Sequence, residues 1–290
     1  MPLFRRHDGD PVPGLPASRR IMPIIMRGRT ESLVLHDSVF GITGARSWLK
    51  AYNRTHEHRA TLFHLLAYGC AAALHLRPDL NRFVSGGRIY QRRGVHLAFV
   101  AKREMSDTGE MATVKIEVPA DESFPRFVER ITGAIDGARG APRAIDREES
   151  FFAAIPVPIL RVAFRLILAL DGWNLLPRWF TRDDPMFVSL FLANLGSAGI
   201  SDAYHHLYEY GTCSLFGAMS APQRMTFVEG TSVVVKEGLR VRWSFDERIN
   251  DGFYSARSLA LAQRILEDPA RHLGPPEGSP AFAPDGSRQR

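Results

Sequence analysis

The chain has 290 residues, 45% of them hydrophobic, and a formal net charge of +6, which is enough apolar content for a large core in one sizeable domain or two small ones. The positive balance favours anionic partners, but the basic residues are dispersed, and without Lys and Arg interleaved with aromatics a nucleic-acid platform is excluded. Cys70 and Cys213 stand far apart with no CxxC pair, which excludes a disulfide framework or a Cys-based metal site and makes a reducing cytoplasm the expected compartment.

Residues 1–20, "MPLFRRHDGDPVPGLPASRR", have no apolar h-region, so a flexible Pro-rich arm is expected there rather than a secretory leader. "SLVLHDSVF" (32–40) has the pattern of a strand, and "GARSWLKAYN" and "RATLFHLLAYGCAAALHLR" read as two helices, the second ending before Pro78. Three short strands follow, "RIYQR" (88–92), "VHLAFVAKRE" (95–104) and "ATVKIEV" (112–118), the last two joined by a polar turn. "SFPRFVERITGAIDGAR" (123–139) is a charged helix opened by a Ser cap. The stretch 155–180, "IPVPILRVAFRLILALDGWNLLPRWF", is strongly apolar but interrupted by Arg161, Arg165, Asp171 and Arg178. A single span needs ~20 nearly uncharged residues, so this segment fails as a transmembrane helix.

"MFVSLFLANLG" (186–196) reads as a buried strand closed by a Gly turn, and "TCSLFGAMS", "QRMTFVEG", "TSVVVKEG" and "LRVRWSFD" as four further strands in hairpin succession. In the last of these Leu239, Val241, Trp243 and Phe245 alternate with Arg240, Arg242, Ser244 and Asp246, the period of a half-buried strand. After it, Phe253, Ala256, Leu259, Ala260 and Leu266 fall on one helical face. Asp246, Glu247, Arg248 and Asp251 therefore occupy a strand-to-helix turn, with Asp251 near the helix N-terminus, where free backbone N–H groups and the helix dipole stabilise a carboxylate. The Pro-, Gly- and Ser-rich residues 274–290 are expected to be disordered. The sum is an α+β architecture, a mostly antiparallel sheet with helices on one face and no internal repeat.

The stretches "RTES" (29–32), "RPDLNRFVSGGRIYQRRGVHLAFVAKRE" (77–104), "FLANLGSAGIS" (191–201) and "FDERINDGFYSARSLALAQRILEDP" (245–269) together resemble the catalytic domain of 2-oxo acid dehydrogenase acyltransferases, the dihydrolipoyl acyltransferases that share their fold with chloramphenicol acetyltransferase. The resemblance covers roughly residues 21–273. It implies a homotrimer, and possibly a larger cage, with the active-site channel between subunits, and a stand-alone chain without lipoyl and subunit-binding modules.

The same resemblance exposes two departures. The family's turn reads His-x-x-x-Asp-Gly, and Glu247 stands where that imidazole takes the proton from a thiol. A carboxylate is a weaker base unless burial or a neighbouring acid raises its pKa, and Arg248 would oppose that if close. The family's Asn-Leu-Gly is usually preceded by Ser or Thr, whose hydroxyl stabilises the tetrahedral oxyanion. Here Ala193 precedes Asn194, Leu195 and Gly196, and loss of one such donor typically costs ~10²–10³ in rate. Asp251 is implied to pair with an arginine near the start of the domain, Arg29 or Arg27.

His205 and His206, in "SDAYHHLYEYGT" (201–212), are candidate displaced bases if that loop borders the acceptor channel, or else aromatic packing groups at a subunit contact. No i, i+4 partner or nearby Cys completes a ligand set around them, so no metal site is expected. His64 reads as a core or interface histidine. Segment 155–180 is left as a helix packed on the domain or a neighbouring subunit, a lid over the acyl pocket, or an interfacial helix on a membrane surface with arginines at the headgroups. Two functions follow from the resemblance: transfer of an acyl group between coenzyme A, as substrate, and an unknown acceptor, or a catalytically inactive trimeric scaffold or ligand-binding protein.

Overall fold

The computed structural model describes residues 6–102, 111–140 and 155–282. In chain order the elements are β1 (Gly9–Pro11), α1 (Ala17–Ile25), β2 (Leu33–Gly41), α2 (Thr43–Thr55), α3 (Leu62–Leu76), β3 (Arg82–Ser85), β4 (Arg88–Arg92), β5 (His96–Lys102), β6 (Met111–Glu117) and α4 (Phe124–Gly140). They are followed by α5 (Val157–Gly172), α6 (Arg178–Arg182), β7 (Leu190–Asn194), β8 (Leu215–Met219), β9 (Gln223–Glu229), β10 (Ser232–Asp246), α7 (Gly252–Glu267) and α8 (Pro269–Leu273).

The larger sheet has seven strands in the order β2-β10-β8-β7-β5-β6, with β9 paired to β10. Strand β7 runs parallel to both neighbours, β5 and β8, and the other pairings are antiparallel. Period-two alternation divides the side chains between the two faces. Leu97, Phe99, Leu190, Leu192, Leu239, Val241, Trp243 and Phe245 join α2, α3, α4 and α7 in the main core. Ala98, Phe191, Phe216 and Ala218 point the other way and are covered by Leu207 and Cys213 of the 201–214 loop. Helix α3 is apolar all round because it is enclosed: twelve of its residues are buried. A Cβ added to its Gly69 would lie 3.4 Å from the Ala262 carbonyl oxygen of α7, the close approach that glycine permits. Burial of side chains such as Leu65, Leu66, Phe127 and Trp243 contributes roughly 1.5–3 kcal/mol each.

Three expectations need correction. Within the run 231–246, Ser232–Asp246 is one 15-residue strand, β10, not two hairpin-linked strands. Its Gly238 is extended within the β9–β10 ladder, where an added Cβ would meet Phe227 at 2.8 Å and the Phe40 carbonyl oxygen at 2.9 Å, so this glycine serves close packing rather than a turn. The expected N-terminal arm is tied down from residue 6. Strand β1 pairs with β4 in a three-stranded sheet, β1-β4-β3, and the buried Arg6 guanidinium binds Asp8 (2.8 Å) and Asp171 (2.7 Å). Residues 274–282 of the expected disordered tail pack on the helices. The Gly278 carbonyl oxygen lies 2.7 Å from His56 Nε2, and the Phe282 N–H donates to the Tyr68 hydroxyl. The turn between β5 and β6 and residues 283–290 lie outside the described residues.

Segment 155–180 is not one helix but α5 and α6, separated at Asn174, which adopts φ 61°, and Pro177. Asp171 anchors α5: besides Arg6, it accepts from Ser85 Oγ at 2.8 Å. Most of the rest is open to solvent, with Ile159, Val162 and Leu166 each more than half exposed. No helix among the described residues is long and apolar enough to cross a membrane.

Candidate active site

Beyond the end of strand β10 at Asp246, the Glu247 N–H still donates to the Ser32 carbonyl oxygen at 2.9 Å alongside β2, and the chain then turns, the Ile249 N–H donating to the Asp246 carbonyl oxygen at 3.2 Å. Asp246 is fully enclosed. Its carboxylate accepts from Arg248 Nε (2.8 Å), Arg248 Nη2 (2.7 Å), the Arg248 backbone N–H (3.0 Å) and Ser32 Oγ (2.9 Å). Arg248 uses its remaining terminal nitrogen on the carbonyl oxygens of Met26 and Arg27. A bidentate pair with every polar atom engaged is the arrangement in which buried charges are tolerated.

Glu247 is the odd member of the turn. Arg19 Nη1 donates to its carbonyl oxygen at 2.8 Å, while its half-buried side chain has no hydrogen bond or ion pair among the described residues. The arginine beside it in sequence is therefore committed to Asp246, not to Glu247.

Asp251 does not pair with Arg29 or Arg27. It is the N-cap of α7, accepting from the Tyr254 N–H at 2.7 Å, and it is exposed. Arg29 is buried and instead ties the 208–211 loop, donating to the carbonyl oxygens of Tyr208 (2.9 Å), Glu209 (2.8 Å) and Gly211 (2.7 Å). Glu209 returns the contact by accepting from the Arg29 and Thr30 N–H groups, and these hydrogen bonds hold its carboxyl below the ordinary range against the opposing effect of burial. Arg27 is exposed, and its N–H donates to Glu31. The correction has a local cause: a short Asp side chain at an N-cap is consumed by its own helix N–H groups. Arg27, Arg29, Arg248 and Glu209 converge with Pro23 and Leu168 around a cavity of about 250 Å³. Glu247 stands outside this lining.

In β7, Ala193 precedes the last residue, Asn194, which caps a one-turn 3-10 helix, its Oδ1 accepting from Ser197 N–H at 3.3 Å. Gly196 is required there, since a Cβ would lie 2.6 Å from the Ser220 carbonyl oxygen. The side chain at 193 has no hydroxyl to offer.

His205 lies flat on Phe216, centroids 4.1 Å apart and 5° from coplanar, and on His206 at 4.7 Å. Its Nδ1 is 2.7 Å from the His206 carbonyl oxygen. The pair therefore packs on the sheet face opposite the helices, and His206 is exposed. His64 is a core residue, completing a capping box with Thr61. Burial pushes its pKa down to about 4. Sequence reasoning missed the Arg6–Asp171 anchor and the Asp246–Arg248 pair, because contacts between distant or i, i+2 charges leave no hydrophobic period to read.

No protein-family model matches the chain, and no curated protein matches it. Solved structures do. A probable dihydrolipoamide acetyltransferase from Listeria monocytogenes 4b F2365 superposes with a TM-score of 0.58 at 12% identity, over 89% of this chain and 94% of that one. The Azotobacter vinelandii dihydrolipoamide acetyltransferase matches with 0.57 at 15% identity, over 90% and 93%. A chloramphenicol acetyltransferase matches with 0.54 at 13% identity, over 89% and 99%. With nearly the whole of each partner superposed on a mixed, mostly antiparallel sheet with helices on one face, this chain carries the fold shared by chloramphenicol acetyltransferase and the catalytic cores of 2-oxo acid dehydrogenase acyltransferases.

Proposed function

We propose that the protein is an acyltransferase that moves an acyl group between coenzyme A and an acceptor, with Glu247 as general base in a channel completed by a second copy of the chain. The observation that carries this reading is the free carboxylate of Glu247 beside an arginine already neutralised by Asp246. In the reaction, the acceptor's hydroxyl, amine or thiol attacks the thioester carbonyl and Glu247 takes its proton. The C–S bond of the tetrahedral intermediate breaks, and the coenzyme A sulfur leaves and receives a proton. General base catalysis of this kind contributes typically ~10²–10⁴ in rate.

Ala193 favours a second reading, in which the fold is kept as a non-catalytic trimeric scaffold or a coenzyme A-binding protein. Without a hydroxyl at 193 the oxyanion depends on other donors. One experiment separates the two. Acyl-CoA-dependent release of free thiol by the purified protein, abolished in Glu247→Gln and kept or raised in Glu247→His, supports acyl transfer. Absence of turnover over amine, alcohol and thiol acceptors, with coenzyme A still bound, supports the scaffold.

The same reading includes assembly as a homotrimer, or a larger cage of trimers, with a neighbouring copy covering the exposed apolar side of α5. The oligomeric fold relatives support it: one similar structure is the cubic core of the pyruvate dehydrogenase multienzyme complex.

A further inference from the structure

We propose that the cavity between the β4–β5 link, β6 and α6 is a binding site for a phosphomonoester, with Arg92, Lys115 and His96 as its binding groups. The cavity is about 470 Å³, within the roughly 300–1,000 Å³ range of small-molecule sites. It shares no residue with the lining of the cavity beside the Glu247 turn.

Its charge is unbalanced. Of the basic side chains around it, Arg93 is paired with Asp10 and Arg182 with Asp183, while the acid Asp8 is held by Arg6. What remains is Arg92, Lys115, Arg178 and the imidazoles of His96 and His7, the latter hydrogen-bonded to Thr181 Oγ1, against Glu117, whose carboxylate is 3.9 Å from His96 Nε2. No carboxylate pairs with Arg92, Lys115 or Arg178 among the described residues.

The two innermost groups are also short of hydrogen-bond partners. Arg92 is buried, its ring neighbour Phe83 lies 4.4 Å from the guanidinium carbon, and its Nη2 donates to the carbonyl and hydroxyl oxygens of Thr212. Its Nε is buried without a partner, and so is Nδ1 of His96. Lys115 Nζ reaches only backbone oxygens, those of Thr181 and Asp184, each at 3.0 Å. An enclosed cation without a counter-charge is costly, and an orphaned buried nitrogen adds to that cost.

These groups push against one another. Burial and then the charge of Arg92 bring Lys115 down to about 8, and burial with Arg92 and Lys115 brings His96 down to about 4. Burial alone is the leading cause that lowers Arg92 to about 10. A dianionic phosphate reverses each of these effects. It accepts from a guanidinium in bidentate geometry and from an ammonium as a point charge.

The test is titration of the full chain with inorganic phosphate, coenzyme A and dephospho-coenzyme A at low ionic strength, read by calorimetry and by the His96 ring signals in NMR. The expected result is saturable binding of inorganic phosphate with the His96 pKa rising from about 4 toward its ordinary value. Lys115→Gln and Arg92→Lys should each weaken binding about tenfold or more, with unchanged far-UV circular dichroism. If coenzyme A displaces phosphate and dephospho-coenzyme A does not, the occupant is the 3′-phosphate of coenzyme A. If neither displaces it, the occupant is another phosphomonoester. Absence of saturable phosphate binding, or affinity unmoved in both folded variants, overturns the proposal. The readout is binding, so it stands or falls independently of whether Glu247 supports turnover.

Discussion

Three consecutive residues at the end of β10 have three different fates. Asp246 is sealed in a bidentate pair with Arg248, Glu247 is left free, and Arg248 spends what remains on carbonyl oxygens. Removing one charge of such a pair strands the other, so Asp246→Asn is expected to cost about 3–5 kcal/mol of unfolding free energy. Glu247→Gln removes no contact and should stay within about ±0.5 kcal/mol. Urea denaturation of both variants checks the contrast, and a costly Glu247→Gln would mean that its carboxylate has a structural partner. The sequence placed all three on one turn but not their burial. Alternation set Asp246 on the face opposite Phe245, and that face is polar and solvated only where no loop covers it. Here Ser32 and Arg248 enclose Asp246.

At the level of elements, strand and helix patterns were legible where apolar residues recur at a regular period or, as in α3, in a continuous run: β2, α2, α3, β4, β5, β6, α4 and α7 all form close to their expected limits. Glycine was the weak signal. Gly238 falls at the break expected between two hairpin strands, yet it lies within one continuous strand, packed closely against Phe227 and Phe40. Asp251 shows how a resemblance and local physics can disagree. As a cap it should tolerate Asn, which accepts the same N–H, while Ala costs about 1 kcal/mol. If Asp251 were instead an ion-pair partner, Asn would be as damaging as Ala. Thermal unfolding of Asp251→Asn and Asp251→Ala, compared in one buffer, distinguishes these outcomes.

Across the whole molecule, a buried histidine and a half-buried one make stability depend on pH. His64 and His96 are held neutral, each with its folded pKa pushed down to about 4 by burial first, whereas an exposed imidazole titrates near 6.5. Between those values the unfolded chain binds more protons, so stability is full above about pH 6.5 and is lost as pH falls toward 4. Urea midpoints in phosphate-free buffer should drop between pH 7 and pH 5, and His64→Gln should flatten part of that slope. The second molecular feature is the apolar side of α5, where Ile159, Val162 and Leu166 face solvent in the isolated chain. In the proposed trimer this face is covered by a neighbouring copy, so Val162→Glu with Leu166→Glu is expected to lower the sedimentation coefficient toward that of a monomer. A monomeric wild type that floats with anionic liposomes would instead assign this face to a membrane surface.

The sequence by itself determined the sheet-and-helix alternation, the core faces and the helix cap, because each is set by neighbours within a few residues and by a period of two or 3.6. Only the tertiary structure decided which turn acid is buried, that Arg29 serves the 208–211 loop, that Arg6 anchors α5 and that Arg92, His96 and Lys115 share one cavity. Those are encounters between distant segments, and the energy of a charge depends on what encloses it, which no local pattern of residues encodes.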